Sequence, residues 1–241
     1  MRDADARGGG SVGGALIFAD GAAPTRAGLD AAWPGWDAGI GLAIAADGGA
    51  RHAAAFGVRL DRWVGDGDSL DRAELDRLAA AGVVLEWAET EKDASDTELA
   101  VVAAVRAGAD AVTILGALGG VRIDHALANI GLLRHPDLAG KSAWLYDEQA
   151  SRLSLINAPG AAGQPIVREL EGRPGDLVSL LPVGHAADGV RTEGLRFPLH
   201  GEVLDGGRTR GLSNVRTAPV ARITVESGWL LVIESPVTVG S

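Results

Sequence analysis

Two aspartates stand two positions apart between glycines in GDGDSL (65–70), and a second acid pair, Asp93 and Asp96, closes ETEKDASD (89–96). Like charges ~5 Å apart at an effective dielectric of ~20 repel by roughly 3 kcal/mol. Carboxylates gathered in this way call for a cation, and an all-oxygen donor set favours Mg2+. Taken singly, Asp66 and Asp68 also read as turn formers, and Asp96 as an acid that complements a helix N-terminus. Two pairs after adjacent apolar runs favour the metal, so Asp66, Asp68, Asp93 and Asp96 are the candidate catalytic acids.

Two glycine runs add a second kind of chemistry. ADGGAR (46–51) holds Asp47, Gly48 and Gly49, and GALGG (116–120) ends in Gly119 and Gly120. Glycines between a strand and a helix let backbone N–H groups approach a phosphate at the helix N-terminus; either run alone reads more readily as a tight turn at positive φ. Arg51 and Arg122 lie beside these runs and offer forked donors for phosphate, or else are solvated surface arginines. Other matches fail on context. GGGSVG (8–13) precedes a strand instead of following one, GKS (140–142) stands in helix-to-strand order without the earlier glycine of a P-loop, and no G-x-S-x-G is present. The histidines lack zinc-site spacing, and the scattered tryptophans read as core.

Something must bring these clusters together. ALIFAD (15–20), IGLAIAA (40–46), RWVGD (62–66), GVVLEWA (82–88), AVTILGAL (111–118) and SAWLYD (142–147) read as buried strands, with helices predicted over 50–56, 70–81, 96–107 and 123–134. Ser95 and Glu98 form an S-x-x-E capping box, and Gly82 and Gly108 fall at helix C-termini. Alternation of this kind predicts a mostly parallel sheet with flanking helices. Its ligands are expected at the carboxyl ends of the strands, and the four polar clusters, each after a strand, then share one rim. Beyond about residue 149 the texture becomes short β runs split by Gly, Pro and Asp, which predicts an all-β sandwich. The expected organisation is a flexible leader (1–14), an α/β catalytic, nucleotide-binding domain (15–148) and a β-sandwich domain (149–241).

The whole chain narrows the partners. A net charge of −10 over 241 residues argues against nucleic acid and anionic membranes. No cysteine is present, which excludes disulfides and thiolate metal sites, and no apolar run free of charge is long enough to span a bilayer. The N-terminal stretch lacks a signal-peptide core, so a cytoplasmic protein is expected.

In order along the chain, ADGGA, GDGDSL, EKDASDTELA, ILGALGGVRIDHALANIGLL, TEGLRFPL, GLSN and VESGWLLVI resemble the motif series of the thiamine pyrophosphokinases. The resemblance implies a homodimer in which thiamine lies between the α/β domain of one subunit and the β domain of the other. It also implies Mg2+-dependent transfer of the pyrophosphoryl group of ATP to the thiamine hydroxyl, giving thiamine diphosphate and AMP. By position, Asp66, Asp68 and Asp96 match the family's metal and phosphate acids. Lys92, Asp93 and Ser95 occupy the acid-rich loop, with Lys92 and Ser95 assigned to the thiamine side. Asp47 falls in the glycine turn near the nucleotide. Arg122, Asp124 and Asn129 fall in the block that lines the nucleotide side, and Ser213 and Asn214 match the β-domain pair near thiamine. On this reading either Asp68 or Asp93 accepts the hydroxyl proton. Val121 intervenes between Gly120 and Arg122, Gly67 stands where a bulky residue is frequent, and Arg51 and His52 replace the common Asn and Arg. Two alternatives stand beside this reading: a pyrophosphokinase for another alcohol such as a hydroxymethylpterin, and a non-catalytic protein that binds thiamine diphosphate or a nucleotide on the same scaffold.

Overall fold

The computed structural model describes residues 12–89, 93–160 and 163–237. The chain runs β1 (Gly14–Phe18), α1 (Arg26–Ala32), β2 (Ile40–Ala46), α2 (Ala50–Phe56), β3 (Arg62–Gly65), α3 (Arg72–Ala80), β4 (Val84–Trp87), α4 (Asp96–Arg106), β5 (Ala111–Leu115), α5 (Ile123–Leu132) and β6 (Ser142–Tyr146). Eight strands follow: β7 (Arg152–Pro159), β8 (Ile166–Glu171), β9 (Leu177–Pro182), β10 (Ala187–Glu193), β11 (His200–Leu204), β12 (Asn214–Val215), β13 (Val220–Val225) and β14 (Ser227–Ser235). Of the expected leader, residues 1–11 lie outside the described residues, and Gly14 is already the first residue of β1.

These elements form two compact units. One comprises the residues up to Thr25 and Gly35–Ala143; the other comprises Arg26–Pro34 and the chain from Trp144 on.

In the first unit the strand order is β4-β3-β2-β1-β5, with every one of these pairs parallel. The central strands are apolar on both faces, as a sheet covered on both sides requires: Ala15, Ile17 and Phe18 of β1 and Ile44 and Ala45 of β2 have no solvent exposure. Helix α4 begins where Ser95 Oγ accepts from Glu98 N at 3.2 Å, half of the expected capping box. The complete box is at α3, where Asp71 Oδ1 accepts from Glu74 N at 2.7 Å and Glu74 Oε2 accepts from Asp71 N at 2.9 Å. Gly82 and Gly108 follow the last residues of α3 and α4 with φ of 81° and 91°, which end these helices without the Cβ penalty of a left-handed residue. Because the strands are parallel, the segments after β1, β2, β3 and β5 leave the sheet on one rim.

The second unit is an antiparallel sandwich. One layer runs β7-β14-β9-β12 and the other β11-β10-β13-β8. Alternate residues point inward: Ile156, Val178, Leu180, Leu230 and Val232 from the first layer pack with Leu170, Val190, Leu204, Ile223 and Val225 from the second. A buried ion pair, Arg216 with Glu234, interrupts this apolar pattern. Arg216, 1% exposed, donates to Glu234 Oε2 at 2.6 Å and to the Leu170 carbonyl at 2.5 Å, and Glu234 also receives Arg152.

Candidate active site

In the first unit the rim holds a cleft of about 390 Å3, lined among others by Asp20, Asp47, Asp68, Asp96, Arg122 and Asn129. Asp47 is its most constrained member. It leaves β2 at φ 43°, in the left-handed region, and is 5% exposed. The glycines after it let the chain turn here. A methyl group on Gly48 would lie 2.4 Å from the Asp20 carboxyl, and one on Gly49 would lie 2.0 Å from the Phe18 carbonyl oxygen. Gly48 and Gly49 thus press this turn onto the end of β1.

The carboxylate of Asp47 accepts from Ser69 N through Oδ2 at 3.3 Å, while Oδ1 is buried without a hydrogen-bond partner. Burial pushes this carboxyl above its ordinary range; the Ser69 contact opposes that, and Asp68 and Asp96 reinforce it. Ligand atoms of Asp47, Asp66 and Asp68 all lie within 4.8 Å of one another. The acid loop is shaped by its own side chains: Asp66 Oδ1 accepts from Asp68 N at 3.1 Å, and Ser69 Oγ donates to Asp68 Oδ1 at 2.9 Å. Three convergent carboxylates with one orphaned buried oxygen suit a hard divalent cation, which would satisfy that oxygen and relieve the repulsion.

The structure sorts the other sequence candidates. Asp66 joins the carboxylate cluster, and Asp96 lines the same cleft at the start of α4, beside Ser95 and Thr97. Asp93 is exposed and is not among the lining residues, and Lys92 lies outside the described residues. Gly119 and Gly120, at φ 80° and 83°, line the same cleft with Val121, whose side chain is wholly exposed. Asn129 is buried and donates to the Ala117 carbonyl at 2.8 Å, which braces the glycine run. Arg122 lines the cleft and is paired with Asp124 at 2.9 and 2.5 Å; that guanidinium holds the Asp124 carboxyl well below the usual range.

Arg51 faces elsewhere. Its fork meets both Glu74 oxygens at 2.9 Å, and Nη2 donates to the Ser69 carbonyl at 2.7 Å, so it latches the acid loop to the cap of α3. His52 Nε2 meets the Gly21 carbonyl at 2.8 Å. Asp20, Thr97 and His125 line the cleft without having been singled out from the sequence. For Asp20 a signal existed: it ends the apolar run of β1 as Asp47 ends that of β2.

In the second unit, Ser213 is exposed at φ 55° and its N–H donates to Ser179 Oγ at 3.0 Å. Asn214 is buried, and its amide is committed to Phe197: Oδ1 accepts from Phe197 N at 3.0 Å and Nδ2 donates to Phe197 O at 2.7 Å. Phe197 is 58% exposed, and with Leu212 and Arg210 it borders a small cavity of about 80 Å3. Phe197 was not singled out from the sequence; its exposed ring stands where Asn214 fixes its backbone.

Two family models match. "Thiamin pyrophosphokinase, catalytic domain" covers residues 38–144, and "Thiamin pyrophosphokinase, vitamin B1 binding domain" covers residues 166–230. The chain belongs to the thiamin pyrophosphokinase family. A Bacillus subtilis thiamine pyrophosphokinase is 27% identical over 171 residues, which is 71% of this chain and 76% of the relative. The fold agrees with solved structures of family members. The crystal structure of the Bacillus subtilis enzyme has a TM-score of 0.78 at 24% identity, over 93% of this chain and 100% of that one. Thiamin pyrophosphokinase from Candida albicans has a TM-score of 0.74 at 14% identity, over 92% and 90%. Within the family frame, the catalytic-domain match contains Asp47, the acid loop and the glycine run. Asp20 lies before its start, and Phe197, Ser213 and Asn214 all fall within the vitamin B1 match.

Proposed function

We propose that this chain is an ATP-dependent thiamine diphosphokinase that uses Mg2+ and acts as a cytoplasmic homodimer. Family membership supports the reaction class. The observations that carry the site assignment are the convergence of Asp47, Asp66 and Asp68 and the orphaned Oδ1 of Asp47, beside the cleft. These three would hold the cation, with Asp96 on the same cleft as a further acid. When bound, the ion would neutralise phosphate charge as it builds up during transfer.

The chain's own groups supply positioning. Glycine backbone N–H groups at 119–120 and the guanidinium of Arg122 face the phosphates. The thiamine hydroxyl oxygen forms a bond to the β-phosphorus of ATP. The bond from that phosphorus to the α,β-bridging oxygen breaks, and AMP leaves with the electron pair. The hydroxyl proton passes to a carboxylate. Asp68 lines the cleft and Asp93 does not, which favours Asp68 as the acceptor. In the second unit, the exposed ring of Phe197 offers a stacking face for a thiamine ring, and Ser213 stands nearby in sequence to Asn214, which fixes the Phe197 backbone.

The test is incubation with ATP, MgCl2 and thiamine, with products resolved. AMP and thiamine diphosphate are expected, and Asp68→Asn should lose most turnover while remaining folded. ADP in place of AMP, or parent-like turnover in Asp68→Asn, overturns the reading. A parallel hydroxymethylpterin reaction tests the acceptor, and sedimentation velocity tests the dimer.

A further inference from the structure

Trp63 and Trp87 end up in very different surroundings. Trp63 has no solvent exposure, whereas Trp87, the last residue of β4, is 58% exposed. Their rings meet edge to face, with centroids 5.2 Å apart and planes at 66°. Trp63 Nε1 donates to the Asp47 carbonyl at 3.0 Å. Its ring also crowds the start of the acid loop: a methyl group on Gly65 would lie 2.9 Å from Trp63 Cζ2 and 3.0 Å from Asp47 Cβ. Trp87 covers the loop itself. A methyl group on Gly67 would lie 2.9 Å from Trp87 Cζ3 and 3.5 Å from Leu75 Cδ1.

We propose that Trp87 is a positioning residue for the acid loop, acting with Trp63 to hold the two backbone segments that carry Asp47, Asp66 and Asp68 at the spacing a cation needs. This rests on the reading of those three acids as the cation's ligands. One aromatic pair touches both segments: Trp63 grips Asp47 through its carbonyl, and Trp87 seats on Gly67, the residue between the other two acids. Glycine at 67 meets two demands at once. Its φ of 81° excludes most side chains, and the indole occupies the space a Cβ would need. Large exposed apolar area is costly to keep in water, and what Trp87 touches in return is the loop. The ring also borders an open groove of about 630 Å3 beside Leu99 and Val102, so truncating it opens no enclosed cavity, and the fold should tolerate the change.

The experiment measures Mn2+ binding to the nucleotide-free protein from the electron paramagnetic resonance signal of free Mn2+. Asp68→Asn serves as the control for the site. Trp87→Ala should bind Mn2+ about tenfold more weakly, the range in which groups supporting metal ligands act, and Trp87→Phe should recover most of the affinity. Gly67→Ala should weaken binding in the parent but much less in the Trp87→Ala background, where only the backbone strain remains. Parent-like Mn2+ affinity in Trp87→Ala, or strictly additive effects in the double variant, overturns the proposal. So does a lowered thermal midpoint with unchanged Mn2+ affinity, since that is the signature of a purely structural tryptophan. Mn2+ affinity unchanged in Asp68→Asn overturns the metal reading itself, and that outcome is distinguishable because it does not depend on Trp87.

Discussion

Replacing Asp47 with Asn should make the metal-free protein more stable while removing its response to Mg2+. Asparagine is a well-matched probe at this position. It tolerates the positive φ of 43° better than most residues, keeps an acceptor for Ser69 N, and leaves the Trp63 bond to the backbone carbonyl untouched. What it removes is one negative charge.

At the 4.8 Å limit that bounds the cluster, each carboxylate pair repels by ~3.5 kcal/mol at an effective dielectric of ~20, and by more at closer approach. Asp66 is half-buried and Asp68 exposed, so solvent and salt cut this to roughly 1 kcal/mol per pair. The gain without metal is therefore about 2 kcal/mol, or roughly 4–8 °C in thermal midpoint for a chain of this size. Magnesium should act the other way. At a concentration ~100-fold above its Kd it stabilises the parent by about 2.7 kcal/mol and the variant by little, so the advantage of the variant disappears. The assay is thermal unfolding of both proteins in excess EDTA and in MgCl2, with AMP release measured alongside. An Asn variant less stable than the parent in EDTA, with an equal Mg2+ shift in both, would refute the reasoning.

Four further outcomes are expected. Arg51 holds the Glu74 carboxyl down to about 2 from an ordinary 4.5; a depressed folded pKa contributes stability that is present above pH 4.5 and lost as pH falls towards 2, so Arg51→Ala should flatten the acid limb of the thermal midpoint over that window. The same variant should raise the Mg2+ concentration for half-maximal activity, because the Ser69 carbonyl loses its donor; an unchanged Mg2+ requirement would separate the latch from the acid loop. Arg122→Ala should raise the KM for ATP more than that for thiamine, whereas Phe197→Ala and Ser213→Ala should do the reverse in steady-state kinetics. Arg216→Met leaves the buried Glu234 with Arg152 alone; a loss of about 3 kcal/mol, roughly 6–12 °C, is expected by calorimetry.

The strands were legible in the sequence because runs such as IGLAIAA are apolar on both faces and end in Gly, Asp or Pro. The parallel order followed from their alternation with helices, and with it the common rim. Helix α1 was not legible. It is seven residues long and buries only Leu29, so it carries no stripe to read, and its membership of the second unit depends on packing far along the chain. The complete capping box at Asp71–Glu74 was passed over for Ser95–Glu98 because aspartate in the first position falls outside the S-x-x-E pattern, although its carboxylate caps as well as a hydroxyl does.

At the site, the sequence located donors and acceptors on the rim but not which of them pair with one another. Arg51 beside a glycine turn had two possible acceptors, a phosphate or a carboxylate of its own chain. Glu74 decides between them, since the Asp71 backbone already fixes its carboxylate by the reciprocal cap. A preorganised acceptor costs a fork little entropy to engage, so in this structure Arg51 latches the acid loop to the cap of α3. Arg122 also has a carboxylate partner, but that pair is more than half exposed on both sides, so water and salt screen it and a bound phosphate can displace Asp124. On the proposed function, the cationic contact with the nucleotide is therefore assigned to Arg122, whose internal partner is the weaker competitor. The same logic places the Asp47 carboxylate with Asp66 and Asp68, although its turn also borders the cleft. The two residues after Asp47 are glycines that offer its carboxylate nothing, and the groups that surround it, Trp63, Ser69 and the acids of the next strand's loop, come from 16 to 22 residues further on.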